Sequence, residues 1–360
     1  MPAPRPAIED VEQAAVRIRR YASRTPLMRS EWLSAVTGAE VWLKLEIVQG
    51  TGSFKLRGAA NAIARLREAR PDVRSVTTAS AGNHGLALAT AGAAMGVSVR
   101  VHLPASAPEA KRGALKRLGA EVIEAPSYDQ AEANAQEEIA RTGAVFISAY
   151  SHSDVIAGAG TAALEMLEDQ PSLDTFLVPL GGGGLLSGTA IVARARVPAA
   201  LVVGAEAEAS PVFTGALAAG RPVTVPVAHT VADGLAGNME PDSQTFAIVR
   251  DLVDRVVLVP EPAIVSAMRD IFVRERLIAE GAGATAVGAA LHCGLPLAGR
   301  RVGILLTGRN VDGDGPVPPS RQASADHRSL GAGGFHSSLG DGPVFNSPPS
   351  NSSYPLRRRP

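Results

Sequence analysis

The chain has 360 residues, 35 Lys and Arg against 35 Asp and Glu, and one cysteine, Cys293. That length supports a sizeable core in about two domains, and the charge balance argues against nucleic acid or an anionic membrane surface as the main partner. The lone cysteine excludes an internal disulfide and suits a reducing cytoplasm, the charged N-terminus (Arg5, Glu9, Asp10) does not read as a signal peptide, and no long apolar run predicts a membrane span.

In chain order, charged and apolar positions at helical spacing predict a helix over 56–70. A short β-branched run predicts a strand at 75–78, followed by an Ala/Leu-rich helix over 83–95 that stops at Gly96. Strands are predicted at 97–103 and 121–124, a helix over 128–141 ending before Gly143, and a strand at 144–147. Further strands fall at 176–180, 201–205, 256–259 and 302–306, with a helix over 185–194 and another over 262–276 that starts on Pro262. Strand–helix alternation predicts an α/β architecture with mostly parallel sheets. From Gly313 the composition turns to Gly, Pro, Ser and Asn and closes on Arg357-Arg358-Arg359. Such a tail reads as disordered, because it cannot bury enough surface to offset chain entropy.

Three loops carry candidate chemistry. Lys55, in Gly52-Ser53-Phe54-Lys55-Leu56-Arg57-Gly58-Ala59, sits between two apolar residues at the start of a helix, where desolvation favours a neutral, nucleophilic amine. Arg57 and Gly58 read as structural. Ser80-Ala81-Gly82-Asn83-His84 links a strand to a helix whose N-terminal N–H groups can receive an anion. Gly181-Gly182-Gly183-Gly184 follows a strand and precedes a helix, so its backbone can approach a phosphate closely. It is not a Walker A loop and lacks GxGxxG spacing. A partial GxGxxA match at Gly281, Gly283 and Ala286 has no clear preceding strand and reads as chance.

Lysine, Asn-bearing loop and glycine loop, in this order over roughly 23–312, resemble the serine/threonine dehydratase and serine racemase group of fold-type-II pyridoxal phosphate (PLP) enzymes. The resemblance implies the tryptophan synthase β-like fold, with two three-layer α/β/α domains: a large one of 1–44 plus 152–312 and a small mobile one of 45–151, leaving 313–360 as the tail. It implies that Lys55 is catalytic and holds the cofactor's aldehyde. Phe54, Asn83 (at the ring oxygen), Gly181, Gly182, Gly183, Gly184, Leu185 (at the phosphate), Glu280 and Thr307 (at the ring nitrogen) complete the cofactor site. Ser80, Ala81, Gly82, Asn83 and His84 would receive the substrate carboxylate, with no catalytic role assigned to His84.

The implied reaction is α,β-elimination of water from L-threonine or L-serine, giving a 2-oxo acid and ammonia, in a cytoplasmic homodimer or homotetramer. Racemases of this group carry a serine where this chain has Ala81, which has no proton to give, so racemisation is disfavoured. Other departures are Arg309 in place of Gly, and Gly50, Ser151, Ser153 and Ala159 in place of Pro, Asp, Pro and Gln. They leave open another β-hydroxy-amino acid, such as 3-hydroxyaspartate. The stretch Asp233-Gly234-Leu235-Ala236-Gly237-Asn238 also resembles dehydratase-like members of hydroxyectoine degradation. A PLP-binding protein without turnover is a further alternative. Some members bind a divalent cation; Glu206 and Ser210 match two of its ligands, but Val212 stands where an Asp is needed, which weakens the case for Mg²⁺ or Ca²⁺ and leaves Glu208 as the compensating oxygen ligand; no metal is assigned.

Overall fold

The computed structural model describes residues 5–80 and 82–311, leaving aside the side chains of Tyr128 and Asp129. The expectations for Ala81 and for the tail from residue 313 therefore lie outside the described residues. The N-terminal part runs α1 (Ile8–Ile18), β1 (Leu27–Ser30), α2 (Glu31–Thr37), β2 (Glu40–Leu45) and α3 (Lys55–Ala69). Next come β3 (Ser75–Ala79), α4 (Asn83–Met95), β4 (Ser98–Pro104), α5 (Glu109–Arg117), β5 (Glu121–Ala125), α6 (Tyr128–Thr142) and β6 (Val145–Phe146). The remainder is α7 (Ser153–Asp169), β7 (Thr175–Leu180), α8 (Gly184–Arg196), β8 (Leu201–Ala207), α9 (Val212–Ala219), α10 (Gln244–Leu252), β9 (Arg255–Val259), α11 (Glu261–Asp270), α12 (Gly281–His292) and β10 (Arg301–Leu306).

Two sheets form. One has the order β1-β2-β10-β7-β8-β9, with β1 antiparallel to β2 and the other neighbours parallel. The other is fully parallel, β5-β4-β3-β6. The six-stranded sheet is apolar on both faces. Phe176, Val178 and Leu180 join one core with residues of α7 and α8, while Leu177 between them joins the opposite core with residues of α11 and α12. Burial on both faces is why these strands read as continuous apolar runs. In the four-stranded sheet Val76, Val99, Val101 and Leu103 pack with α3 and α4. The alternate residues Thr77, Arg100 and His102 instead meet Glu138 of α6, which accepts from His102 Nε2 at 2.7 Å and Arg100 Nη1 at 2.5 Å.

All eight predicted strands are present, but β1 and β2 are additional. Strand β2 hid behind Lys44, a residue that reads as surface. Its ammonium is fully buried, donating to Thr25 O at 2.7 Å and Glu165 Oε2 at 2.6 Å. The helix predicted over 262–276 is corrected too: α11 ends at Asp270, a π-helical turn covers Ile271–Glu275, and Arg276 takes a positive φ of 60°. Helix α12 was also missed. Its glycines serve close packing rather than a dinucleotide: a methyl group at Gly281 would stand 2.1 Å from Val231 O, and one at Gly283 2.6 Å from Gly308 O.

Candidate active site

Strands β2, β10 and β7 are adjacent and parallel, so the loops at their carboxyl ends emerge side by side. These are the lysine loop, Thr307 and the glycine loop. In an open parallel sheet the carboxyl edge is where ligands bind. The other sheet adds the loop after β3, which brings Asn83.

Lys55 is the first residue of α3 and half-buried. Its Nζ donates to Ala149 O at 3.0 Å and lies 5.1 Å from the Phe54 ring centre. Burial lowers its pKa to about 8, against the pull of the Glu280 carboxylate. Phe54 N donates to Thr307 O at 2.9 Å, and Ser53 bridges Gly308, so the lysine loop is stitched to the end of β10. Thr307 is buried there.

The glycine loop admits no side chain. A methyl group at Gly182 would stand 2.3 Å from the Tyr150 ring, and at Gly181 2.8 Å from Leu235 Cα. At Gly184 it would meet Tyr150 O at 2.9 Å, and at Gly183, where φ is +86°, Phe213 Cζ at 2.6 Å. Leu185 follows, buried in the first turn of α8. Thr245 Oγ1 ties the loop from behind, donating to Gly182 O at 2.8 Å.

At the start of α4, Ser80 Oγ accepts from Gly82 N at 3.3 Å and Gly85 N at 3.2 Å, and Gly82 caps the helix. With Gly85 N engaged by Ser80, the backbone N–H groups of Asn83 and His84 are the first-turn donors left for an anion. Asn83 Nδ2 donates to Glu280 Oε1 at 2.7 Å, which joins two of the expected residues. Burial and the nearby Asp233 raise the Glu280 carboxyl to about 7.

His84 is buried, with Nε2 3.1 Å from Ile147 O. Burial first, and then the charge of Lys55, lower its pKa to about 3. Folded His84 stays neutral while the unfolded chain takes up a proton below about pH 6.5, so stability falls as pH drops through that window. Between pH 6.5 and pH 5 this amounts to about 2 kcal/mol. Urea unfolding of the wild type against His84→Gln should show that extra loss only in the wild type; equal slopes would refute it.

Four contributors escaped sequence reading. Tyr150, Phe213 and Thr245 shape the glycine loop, and Asn310 bonds both Glu280 and Asn83. None sits in a motif that announces its partner. Arg309 is exposed, and its backbone N donates to Gly52 O at 2.9 Å. Glu206 is buried and spends both carboxylate oxygens on the start of α9: Phe213 N at 2.6 Å, Thr214 N at 3.0 Å and Thr214 Oγ1 at 2.7 Å. Among the described residues no three His, Cys, Asp or Glu gather as metal ligands, and no helix is long and apolar enough to cross a membrane.

The residues fit PLP. A desolvated amine of lowered pKa starts α3, and an Asn-bearing loop and a loop of four glycines each lead into a helix N-terminus. Ser53 Oγ, beside the lysine loop, and Ser187 Oγ, in the first turn of α8, are buried without a protein partner.

Comparison with known proteins agrees. Residues 18–308 match the family described as pyridoxal-phosphate dependent enzyme. The L-threonine ammonia-lyase of Thermotoga maritima is 39% identical over 306 residues, covering 85% of this chain and 76% of that protein. The L-threo-3-hydroxyaspartate ammonia-lyase of a Pseudomonas species is 39% identical over 308 residues, covering 84% and 95%. The structure of maize serine racemase superposes with a TM-score of 0.79 at 36% identity, covering 85% of this chain and 94% of that one. Loop order, strand topology and these similarities lead to one conclusion: the chain belongs to the pyridoxal-phosphate dependent enzymes of fold type II.

Proposed function

We propose that the protein is an ammonia-lyase that eliminates water from a β-hydroxy-amino acid, with L-threonine or L-serine as first candidates. The observation that carries this reading is the Lys55 amine, its pKa lowered to about 8 by burial, together with Ala81 at the position where racemases of the group carry their acid–base serine. Among the described residues of the Ser80–His84 loop the one titratable side chain is His84, held neutral and bonded to Ile147; Ala81 has no proton to give.

Bound PLP supplies stabilisation of negative charge at the substrate α-carbon. The chain's own residues do the rest. Backbone N–H groups at the start of α4 hold the substrate carboxylate. Neutral Lys55 takes the α-proton at Nζ, the Cβ–O bond breaks, and the leaving hydroxide takes up a proton from solvent to depart as water, balancing the proton held at Nζ. Hydrolysis of the remaining enamine then yields a 2-oxo acid and ammonia. Residues 45–151 form a smaller domain that closes over the substrate in this reading, within a cytoplasmic homodimer or homotetramer.

The test is 2-oxo acid release by the purified holoenzyme from L-threonine, L-serine, D-serine and 3-hydroxyaspartate. Release from L-threonine or L-serine is expected. Release from 3-hydroxyaspartate alone would move the assignment to that lyase activity, which a 39%-identical relative supports. Silence on all four would overturn the reading for these substrates. The second reading, racemisation, is favoured by the likeness to maize serine racemase; chiral analysis of serine after incubation decides it.

A further inference from the structure

Asn310 closes a ring of hydrogen bonds around Asn83. Its Nδ2 donates to Thr51 O at 2.9 Å and to Asn83 Oδ1 at 2.7 Å. Asn83 Nδ2 donates to Glu280 Oε1 at 2.7 Å, and Glu280 Oε2 accepts from Asn310 N at 2.9 Å. The backbone around the ring is shaped to admit it. A methyl group at Gly52, where φ is +72°, would stand 2.5 Å from Asn310 Oδ1, and one at Gly308 2.3 Å from Glu280 Oε1.

The ring has a direction. An amide side chain has an accepting end and a donating end, and its partners decide which points where. The carbonyl of Thr51 belongs to the backbone and only accepts. The Asn310 atom facing it is therefore Nδ2. A donor there demands an acceptor on Asn83, so Asn83 presents Oδ1 to Asn310 and Nδ2 to the opposite side. Glu280, accepting with both carboxylate oxygens, reinforces the same orientation. One hydrogen of Asn83 Nδ2 goes to Glu280; the second is the one a cofactor oxygen can use.

We infer that Asn310 is a positioning residue for the cofactor: anchored on Thr51 O, it fixes the amide orientation of Asn83 so that an N–H, rather than a carbonyl oxygen, meets the PLP ring oxygen. The inference rests on Asn83 as the residue at that oxygen. Because Thr51 and Gly52 lie just ahead of Lys55, the same contact ties this orientation to the lysine loop. An asparagine turned the other way would set oxygen against oxygen and lose the bond.

The experiment uses full-length holoenzyme and no substrate, so it is independent of the elimination reading. Equilibrium dialysis gives the apparent PLP dissociation constant, and absorbance gives the position of the bound cofactor's band. Asn83→Ala and Asn310→Ala should each weaken PLP binding about tenfold, the scale of one lost hydrogen bond. Loss of the N–H also favours a protonated ring oxygen, so the band moves to shorter wavelength. Asn310→Asp keeps the size but puts an oxygen against Thr51 O and Asn83 Oδ1; it should bind at least as poorly as Asn310→Ala.

The double variant Asn83→Ala/Asn310→Ala separates positioning from mere structure. If Asn310 acts through Asn83, the double variant matches Asn83→Ala alone. Losses that multiply in the double variant would overturn the inference. So would Asn310 variants that keep wild-type affinity and spectrum while Asn83→Ala does not. An Asn83→Ala protein with unchanged affinity and band would overturn the underlying role of Asn83 as well.

Discussion

Lys55→Ala should lower 2-oxo acid release by at least about a thousandfold, the combined effect of losing a positioned base and an amine nucleophile. The structure gives Nζ its neighbours: the Ala149 carbonyl at 3.0 Å and a setting whose burial lowers the pKa to about 8. Part of the amine is then neutral near pH 7.5 and able to accept a proton. Lys55→Arg tests the same point differently. A guanidinium keeps the charge but stays protonated throughout this range, so it cannot take the α-proton. Both variants should fold, because among the described residues Lys55 Nζ makes one hydrogen bond, to Ala149 O, and no salt bridge. Keto-acid release within tenfold of wild type in either variant, with correct folding by circular dichroism, would remove Lys55 from the catalytic role.

Arg57→Ala is expected to cost about 3–5 kcal/mol of stability, the range for stripping one partner from a buried ion pair. Its guanidinium is buried between two carboxylates. Glu46 accepts from Nε and Nη2 at 2.8 Å each, and Glu165 accepts from Nη1 and Nη2, also at 2.8 Å each. Further bonds reach Thr161 Oγ1 at 3.1 Å and Ser23 O at 3.3 Å. Lys44 shares Glu165, so a single truncation leaves Glu46 buried without its cation and Glu165 with one. Arg57→Lys keeps a charge but cannot span both carboxylates, and should fall between the two. Urea unfolding of the three proteins checks the order. A loss below about 1 kcal/mol for Arg57→Ala, the scale of an exposed pair, would show that water already reaches this cluster.

Arg57 also shows what kind of information a sequence holds. Its place two residues after Lys55 is legible, and a structural role follows from the motif. Its partners are not, because Glu46 and Glu165 lie on other elements and only folding brings them together. Asn83 and Glu280, 197 residues apart, make the same point at the site.

The sequence by itself determined the alternation of strands and helices, since burial on both faces of a parallel sheet demands continuous apolar runs between helical patterns. It also determined the lysine, Asn-bearing and glycine loops, because each needs particular residue types locally: an amine, a small-residue helix entry, and a backbone with no side chains. Only the tertiary structure decided what surrounds them. It buried Lys44 inside a strand, set Tyr150 against Gly182, engaged Glu206 at the start of α9, and ran Asn310 into a ring with Asn83 and Glu280. These are pairings between distant segments. They depend on which strands lie side by side, and hydrogen-bonding direction is settled only when donor and acceptor meet.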